Sequence, residues 1–357
     1  MERDELLQWL GENREEALRE LWIRADAARR GAVGDEVHFR GLIEVSNICA
    51  RQCWYCGIRA GNAGVTRYRM TADEVVECAR AAAGLGYGTV VLQGGEDHGL
   101  TRQWVSDVVV RIKGELPLAV ALSLGERSAC DLAAWRRAGA DRYLLRFETT
   151  NAALFARIHP PRSDGAVQDR ISMLRELRDL GYEVGSGSMV GIPGQSITDV
   201  AEDVLLFRNL DLDMIGVGPF IPHPATPLGG PVAGFVEGQA PATELMTYKV
   251  LALARLCCPR ANIPSTSALA TLNPREGREL GLSRGANVLM PNLTPVRYRL
   301  HYEIYPAKAC IRETAQQCHT CMHQRVRSIG RRVGRGTGSA SPPGVGAPGA
   351  SLPTLHR

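Results

Sequence analysis

The chain has no apolar run long enough to cross a bilayer, which argues against a helical membrane protein. Its first residues, Met1-Glu-Arg-Asp-Glu5, lack the apolar centre of a secretion signal, so the expectation is a soluble, cytoplasmic protein. Surplus charge is missing too. The formal net charge of +4 equals the four arginines of residues 331–357 (Arg331, Arg332, Arg335 and Arg357), a stretch without one acid. Residues 1–330 are therefore neutral overall and offer no basic face for nucleic acid. Residues 329–357 are rich in Gly, Ser, Pro and Ala and read as a disordered tail. What is present in quantity is apolar surface, 45% of 357 residues, together with ten cysteines. In a chain this long, in a reducing compartment, ten cysteines point to metal ligation and buried thiols rather than a disulfide framework.

Three of them, Cys49, Cys53 and Cys56, are spaced C-x3-C-x2-C directly after the apolar stretch Gly41–Ser46. Three thiolates on one short loop can hold three irons of a cubane cluster and leave the fourth iron open for chemistry. Structural zinc would need a fourth ligand close by, and no His lies between residues 39 and 97. Tyr55, just before the third cysteine, adds an aromatic that can lie beside a ligand. A second triad, Cys310, Cys318 and Cys321, is spaced C-x7-C-x2-C near the end. It reads as a second iron–sulfur site at the surface, or as zinc with His319 or His323 as fourth ligand. Cys78, Cys130, Cys257 and Cys258 fall on helical patterns and read as buried thiols.

Eight β-prone segments alternate with amphipathic ones: Leu42–Val45, Thr89–Leu92, Leu118–Leu122, Arg142–Leu145, Tyr182–Met189, Met214–Gly218, Ile263–Thr266 and Asn287–Met290. The intervening helical patterns are Thr71–Gly84, Gln103–Lys113, Ser128–Ala138, Val167–Leu180, Ile197–Leu210 and Ala242–Cys257. Thr71 with Glu74 makes a capping box. This alternation implies an α/β fold with a parallel sheet closed as a (β/α)8 TIM-type barrel, an open doubly wound sheet being second choice. The organisation expected is an N-terminal helical layer (1–34) packed across the barrel bottom, the barrel with its terminal cysteine triad (35–328) and the tail (329–357).

In such a barrel, functional groups gather at the C-terminal strand ends. Those positions hold the cysteine loop, Gln93-Gly94-Gly95-Glu96, Ser123, Arg146 with Glu148, and Ser188-Met189-Val-Gly-Ile-Pro-Gly-Gln195. Gly94 and Gly95 suit a backbone that must approach a ligand closely. Arg146 and Glu148, two apart on a strand, point to the same side. Their alternative role is a structural ion pair. Arg170 lies early in the helix that follows.

The cysteine loop with Tyr55 resembles the radical S-adenosylmethionine (SAM) superfamily, and Arg67-Tyr-Arg69 and Val91-Leu-Gln-Gly-Gly-Glu-Asp97 narrow this to the enzymes related to biotin synthase. Tyr143–Thr149, Gly187–Gln195, Gly218–Leu228, Ala286–Asn292 and the terminal triad resemble the [FeFe]-hydrogenase maturase family HydE within that group. Phe147 and Gly94 depart from the His and Ser frequent there. The resemblance implies a [4Fe-4S] cluster on Cys49, Cys53 and Cys56. It implies SAM held by Tyr55, Gln93, Gly94, Gly95, Glu96, Ser123, Glu148, Arg170 and Met189, with Glu148 and Arg146 catalytic. Thr266, Ser267, Tyr302 and Tyr305 would line the cavity. The implied reaction is reductive cleavage of SAM to a 5′-deoxyadenosyl radical. It would act on an iron–cysteine–CO–cyanide synthon during assembly of the dinuclear subcluster of the hydrogenase H-cluster. Implied partners are the other maturases and an electron donor such as ferredoxin or flavodoxin. Rival readings are a methylornithine synthase-like or biotin synthase-like enzyme and a non-enzymatic Fe–S scaffold. The biotin synthase-like reading would need cysteines inside strands 3 to 5, where there are none.

Overall fold

The first four β-prone segments become strands β1 (Glu36–Ser46), β2 (Thr89–Gly94), β3 (Ala119–Ser123) and β4 (Arg142–Leu144) in a computed structural model of the chain, whose described residues are 1–161, 169–230 and 238–340. They pair in parallel, in sequence order. Helices cover their outer face, so the strands read as near-continuous buried runs rather than as alternation.

The fifth and sixth segments are each broken. Tyr182–Met189 yields β5 (Glu183–Ser186) and β6 (Met189–Val190), and Met214–Gly218 yields β7 (Met214–Ile215) and β8 (Gly218–Pro219). The break falls where Gly187 meets Gly216: a Cβ on Gly187 would sit 1.9 Å from the Gly216 carbonyl oxygen. β5 pairs with β7, and β6 with β8 as a separate short ladder. The seventh segment is reduced to isolated bridges, Met214–Asn262 and Pro264–Val288. Pro264 has no N–H to give a ladder. Side chains reinforce the seam: Ile263 N–H and Arg255 Nη2 both donate to Asn287 Oδ1 at 2.9 Å, and Asn287 Nδ2 donates to Asn262 Oδ1 at 2.9 Å. The eighth strand, β9 (Val288–Leu289), pairs with β1 and closes the circuit.

Helices follow the expected amphipathic stretches. Ala72–Gly84 buries Val75, Val76, Ala79 and Ala82, and starts at Thr71 with both bonds of its capping box. The others are Arg102–Glu115, Ala129–Arg137, Arg170–Asp179, Ile197–Asn209 and Glu244–Cys257. Positions 167 and 168 of the expected Val167–Leu180 pattern lie outside the described residues.

Two expectations about the barrel bottom need correction. The N-terminal helices, Arg3–Gly11 and Glu15–Val33, do not cross it; they pack on the outer helices Ile197–Asn209 and Glu244–Cys257. The bottom is met instead by the chain's far end. Residues 329–340 of the expected tail belong to the fold, and β10 (Arg332–Val333) pairs in parallel with the start of β1. Residues 341–357 lie outside the described residues. No helix is long and apolar enough to cross a membrane among the described residues.

Candidate functional site

The cysteine loop is shaped by the protein's own hydrogen bonds. Arg67 donates to the carbonyls of Asn47 (2.6 Å), Ile58 (2.7 Å), Arg59 (2.7 Å) and Asn62 (3.2 Å). Arg69 grips Asp97 with two bonds of 2.7 Å, and Ser46 Oγ donates to the same carboxylate at 2.7 Å. Tyr68 donates its hydroxyl to the Glu44 carbonyl at 2.8 Å. The Arg67-Tyr-Arg69 motif thus ties the end of β1, the cysteine loop and the turn after β2 together.

Cys53 is buried on this loop, with Cys49 and Cys56 half-buried. Burial raises all three thiols, Cys53 up to about 12, so their thiolates need a neighbouring cation. Among the described residues no three Cys, His, Asp or Glu side chains are arranged to hold a single metal ion. A cubane takes one thiolate from each of three cysteines and leaves its fourth iron open, which is the donor set this loop supplies.

The end of β2 lies directly against this loop. A Cβ on Gly95 would stand 2.2 Å from the Ile48 carbonyl oxygen and 2.9 Å from Cys49 Cβ. Ala50 N–H donates to the Glu96 carbonyl at 2.9 Å, and Gly94 is paired with Ser46. Gln93 is in register with Ser123 of β3 and donates to the Tyr302 hydroxyl at 3.3 Å. Glu96 accepts from Glu126 N–H at 3.1 Å, and burial raises its carboxyl.

Arg170 lands in this site, beside two residues the sequence reading missed. Its Nε donates to Glu126 Oε1 at 2.8 Å, and Arg51 Nη1 stands 3.4 Å from Glu126 Oε2. Glu126 and Arg51 are buried. The signal for them was thin: an arginine inside the cysteine loop, and an acid just past Ser123-Leu-Gly125. A cavity of about 300 Å³ borders this network, with Phe147, Phe155 and His159 among its walls. His159 was missed as well. It shares a 2.8 Å hydrogen bond with the Tyr55 hydroxyl, and burial, helped by Arg170 and Arg51, holds its imidazole neutral. Met189 and Tyr55 share a small apolar cluster with Phe220.

Glu148 is buried at the end of β4 with φ of 65°, a strained value for a non-glycine residue. Arg146 Nη2 lies 3.0 Å from Glu148 Oε2 and donates to the Ser188 carbonyl at 2.7 Å. The two meet as the ion pair named as their alternative role, and not by strand alternation, since β4 ends at Leu144 before either of them. Ser267 and Tyr305 hydroxyls hydrogen-bond at 2.7 Å. Beneath both strand-end loops lies Asp203, also missed. It accepts from Thr150 N–H (2.6 Å), the Thr150 hydroxyl (2.8 Å) and Gln195 Nε2 (3.1 Å); Gln195 in turn donates to the Met189 carbonyl at 3.0 Å.

The second triad is elsewhere. Cys318 and Cys321 sit one turn apart on helix Ala315–Ser328, Cys318 almost wholly buried, and Cys310 precedes them with Arg278 Nη2 3.6 Å from its sulfur. His319 and His323 pack on Phe39, and His319 bonds Tyr87 at 3.1 Å. Of the remaining cysteines Cys78 is buried and Cys130 is exposed, against expectation.

Several buried polar atoms near the cysteine loop and the strand ends find no hydrogen-bond partner among the described residues: Arg51 Nε and Nη1, Glu126 Oε2, Arg146 Nε, Glu148 Oε2, Ser188 Oγ and Thr266 Oγ1. Such atoms are costly unless a polar ligand meets them. Donors and acceptors of both signs, beside a three-thiol loop, fit a zwitterionic ligand on a cluster.

Two outcomes follow from this geometry. Gly95→Ala is expected to push the cysteine loop out of place, and iron content after anaerobic reconstitution should fall by more than half while the circular dichroism stays unchanged. Full iron loading would contradict the contact. For Asp203, burial raises the carboxyl from 3.8 to about 8. The folded chain then holds a proton that the unfolded chain releases between those values, so stability falls as pH rises through that window. Asp203→Asn is expected to flatten the decline in urea unfolding between about pH 5 and pH 8; an unchanged slope would refute this.

Comparison with known proteins gives one answer. The family model for the radical SAM superfamily matches residues 43–207. The [FeFe] hydrogenase maturase subunit HydE of Thermotoga maritima is 46% identical over 318 residues, 89% of this chain and 88% of that protein. The 3-methylornithine synthase of Methanosarcina acetivorans is 27% identical over 288 residues, 80% of this chain and 78% of the other. The crystal structure of methylornithine synthase (PylB) superposes with a TM-score of 0.77 at 25% identity, covering 94% of each chain. With the barrel, the cysteine loop and this degree of identity together, the chain belongs to the HydE family of the radical SAM superfamily and is a radical SAM enzyme.

Proposed function

We propose that the chain is a hydrogenase maturase. In this reading Cys49, Cys53 and Cys56 hold a [4Fe-4S] cluster, and SAM lies between the cysteine loop and the strand ends. The group acted on is an iron–cysteine–CO–cyanide synthon bound for the H-cluster's dinuclear subcluster, with the other maturases and a ferredoxin or flavodoxin as partners. The observation that carries the reading is the set of buried polar atoms on Arg51, Glu126, Arg146, Glu148 and Ser188 that lack a hydrogen bond among the described residues, Arg51–Glu126 and Arg146–Glu148 being held only as ion pairs, all at the cysteine end of the barrel.

The cluster and SAM supply the electron and the 5′-deoxyadenosyl group; the protein's own residues bind, orient and shield. Gly94 and Gly95 let the β2 backbone approach the amino end of SAM without a side chain between. Arg51 and Arg170 offer guanidinium to its carboxylate, with Glu126 holding both in place. Glu148 presents a carboxylate to the ribose hydroxyls, and Ser123 lies alongside. Tyr55 and Met189 form an apolar wall. Arg146, half-exposed and bonded to the Ser188 carbonyl, faces the same space and suits an anionic substrate. A closed barrel excludes water and fixes orientation, which a radical and an organometallic anion both require. Cys310, Cys318 and Cys321 are assigned to a second cluster without a role in SAM cleavage.

Glu148→Gln keeps the shape and loses the charge. SAM binding to the oxidised cluster is expected to weaken by roughly 1–3 kcal/mol, with iron content unchanged. Parent affinity and a parent rate of 5′-deoxyadenosine formation would reduce Glu148 to a structural partner of Arg146. The triple variant Cys310→Ala/Cys318→Ala/Cys321→Ala is expected to lose part of its iron and keep SAM cleavage. Loss of turnover with the first cluster intact would make that site catalytic.

A further inference from the structure

Unpartnered buried polar atoms also occur at the opposite end of the barrel, on Arg40 Nε and His38 Nδ1. Arg40 is 5% exposed and makes no ion pair among the described residues. Its neighbour Arg142 is fully buried and holds Glu183 at 2.7 Å. Arg142 takes that carboxylate, and Arg40 has no carboxylate within ion-pair distance among the described residues.

What meets that charge is the Met214 sulfur, 2.8 Å from Arg40 Nη1, and backbone, neither of them charged. Four donors from four strand positions converge on two adjacent carbonyls of the C-terminal segment. Thr89 Oγ1 (2.8 Å) and Arg142 Nη2 (3.2 Å) donate to the Thr337 carbonyl. Asn262 Nδ2 (3.0 Å) and Arg40 Nη2 (3.2 Å) donate to the Gly338 carbonyl. Arg142 Nη2 also reaches Ser339 Oγ at 2.9 Å. The segment fits because of its glycines. Gly336 and Gly338 have φ of 72° and 57°, and a Cβ on Gly338 would lie 2.6 Å from the His38 ring.

A carbonyl oxygen satisfies a guanidinium N–H but neutralises no charge, and ionised acceptors form bonds about twice as strong. Two neighbouring oxygens, met by four donors and one surplus cation, are the arrangement that receives an oxyanion. We propose that the N-terminal end of the barrel is a binding site for a small inorganic oxyanion of the phosphate type, covered by residues 334–340 as a displaceable stopper. Arg40, Thr89, Arg142 and Asn262 are its ligands. The site lies across the barrel from the cysteine loop and is independent of the maturase reading.

The test uses inorganic phosphate and a chain ended after Val333, which keeps β10 and removes the stopper. Millimolar phosphate is expected to raise its thermal midpoint by about 2–4 °C against chloride of equal ionic strength, and the intact chain by less. Arg40→Gln in the shortened chain should abolish the shift. Gly338→Val in the intact chain, which drives a side chain into His38, should reproduce it and serves if the shortened chain does not fold. The proposal is overturned if a folded stopper variant ignores phosphate, if Arg40→Gln leaves the shift in place, or if the intact chain responds equally.

Discussion

Arg67 is the constraint on which the cysteine end of the barrel depends. One guanidinium gathers four carbonyls that belong to both flanks of the loop. A loop of this length has no ladder to satisfy its backbone, and buried carbonyls without donors are costly. By filling that need from one half-buried residue, the fold holds three cysteines at fixed separations. Arg69 and Tyr68, its neighbours, lock the same loop to β1 and to the turn after β2.

Around it the protein concentrates charge in a place where charge is expensive. Arg51, Glu126, Arg170 and Glu96 are all buried or nearly so, and they offset one another only in part. A buried ionic network contributes little to stability by itself, because desolvation consumes the attraction. Its retention at one end of the barrel, with several atoms unpartnered, argues for a ligand that completes it. The neutral His159 and the apolar pair Tyr55–Met189 bound the same region without adding charge, which leaves the arginines and carboxylates to set its polarity.

The barrel and the site were legible to different degrees. Strand–helix alternation placed β2 and β3 closely, because those segments are apolar and uninterrupted, whereas β1 starts at Glu36, well before the expected Leu42, and β4 is only Arg142–Leu144. Glycine contacts at Gly187 and Gly216, which split the next two strands, depend on close approach between elements far apart in sequence. Pro264 was the visible reason for a weak seventh strand. The cysteine loop, the Gly94-Gly95 turn and the Arg146–Glu148 pair were readable because their spacing carries the chemistry. Glu126, Arg51, His159 and Asp203 were not, since each gains its role from a partner on another strand. The Gly-rich start of the tail looked unstructured by composition, yet its glycines permit a close fit, and composition does not separate those two uses.

A closed barrel has no sheet edge, and a sheet without an edge has nowhere to begin peeling. This one retains a surrogate edge. Between β7 and β9 the circuit runs through two single bridges, with backbone bonds such as Asn262 N–H to the Asp213 carbonyl (2.8 Å) and Ser265 N–H to the Val288 carbonyl (3.0 Å), and through the side chains of Asn262, Asn287 and Arg255. Side-chain bonds break one at a time, whereas a ladder yields as a unit. The wall is therefore like a cuff with one clasp: along this line the pairing is shortest, while the cysteine-bearing side, from β1 to β4, is held by continuous parallel pairing.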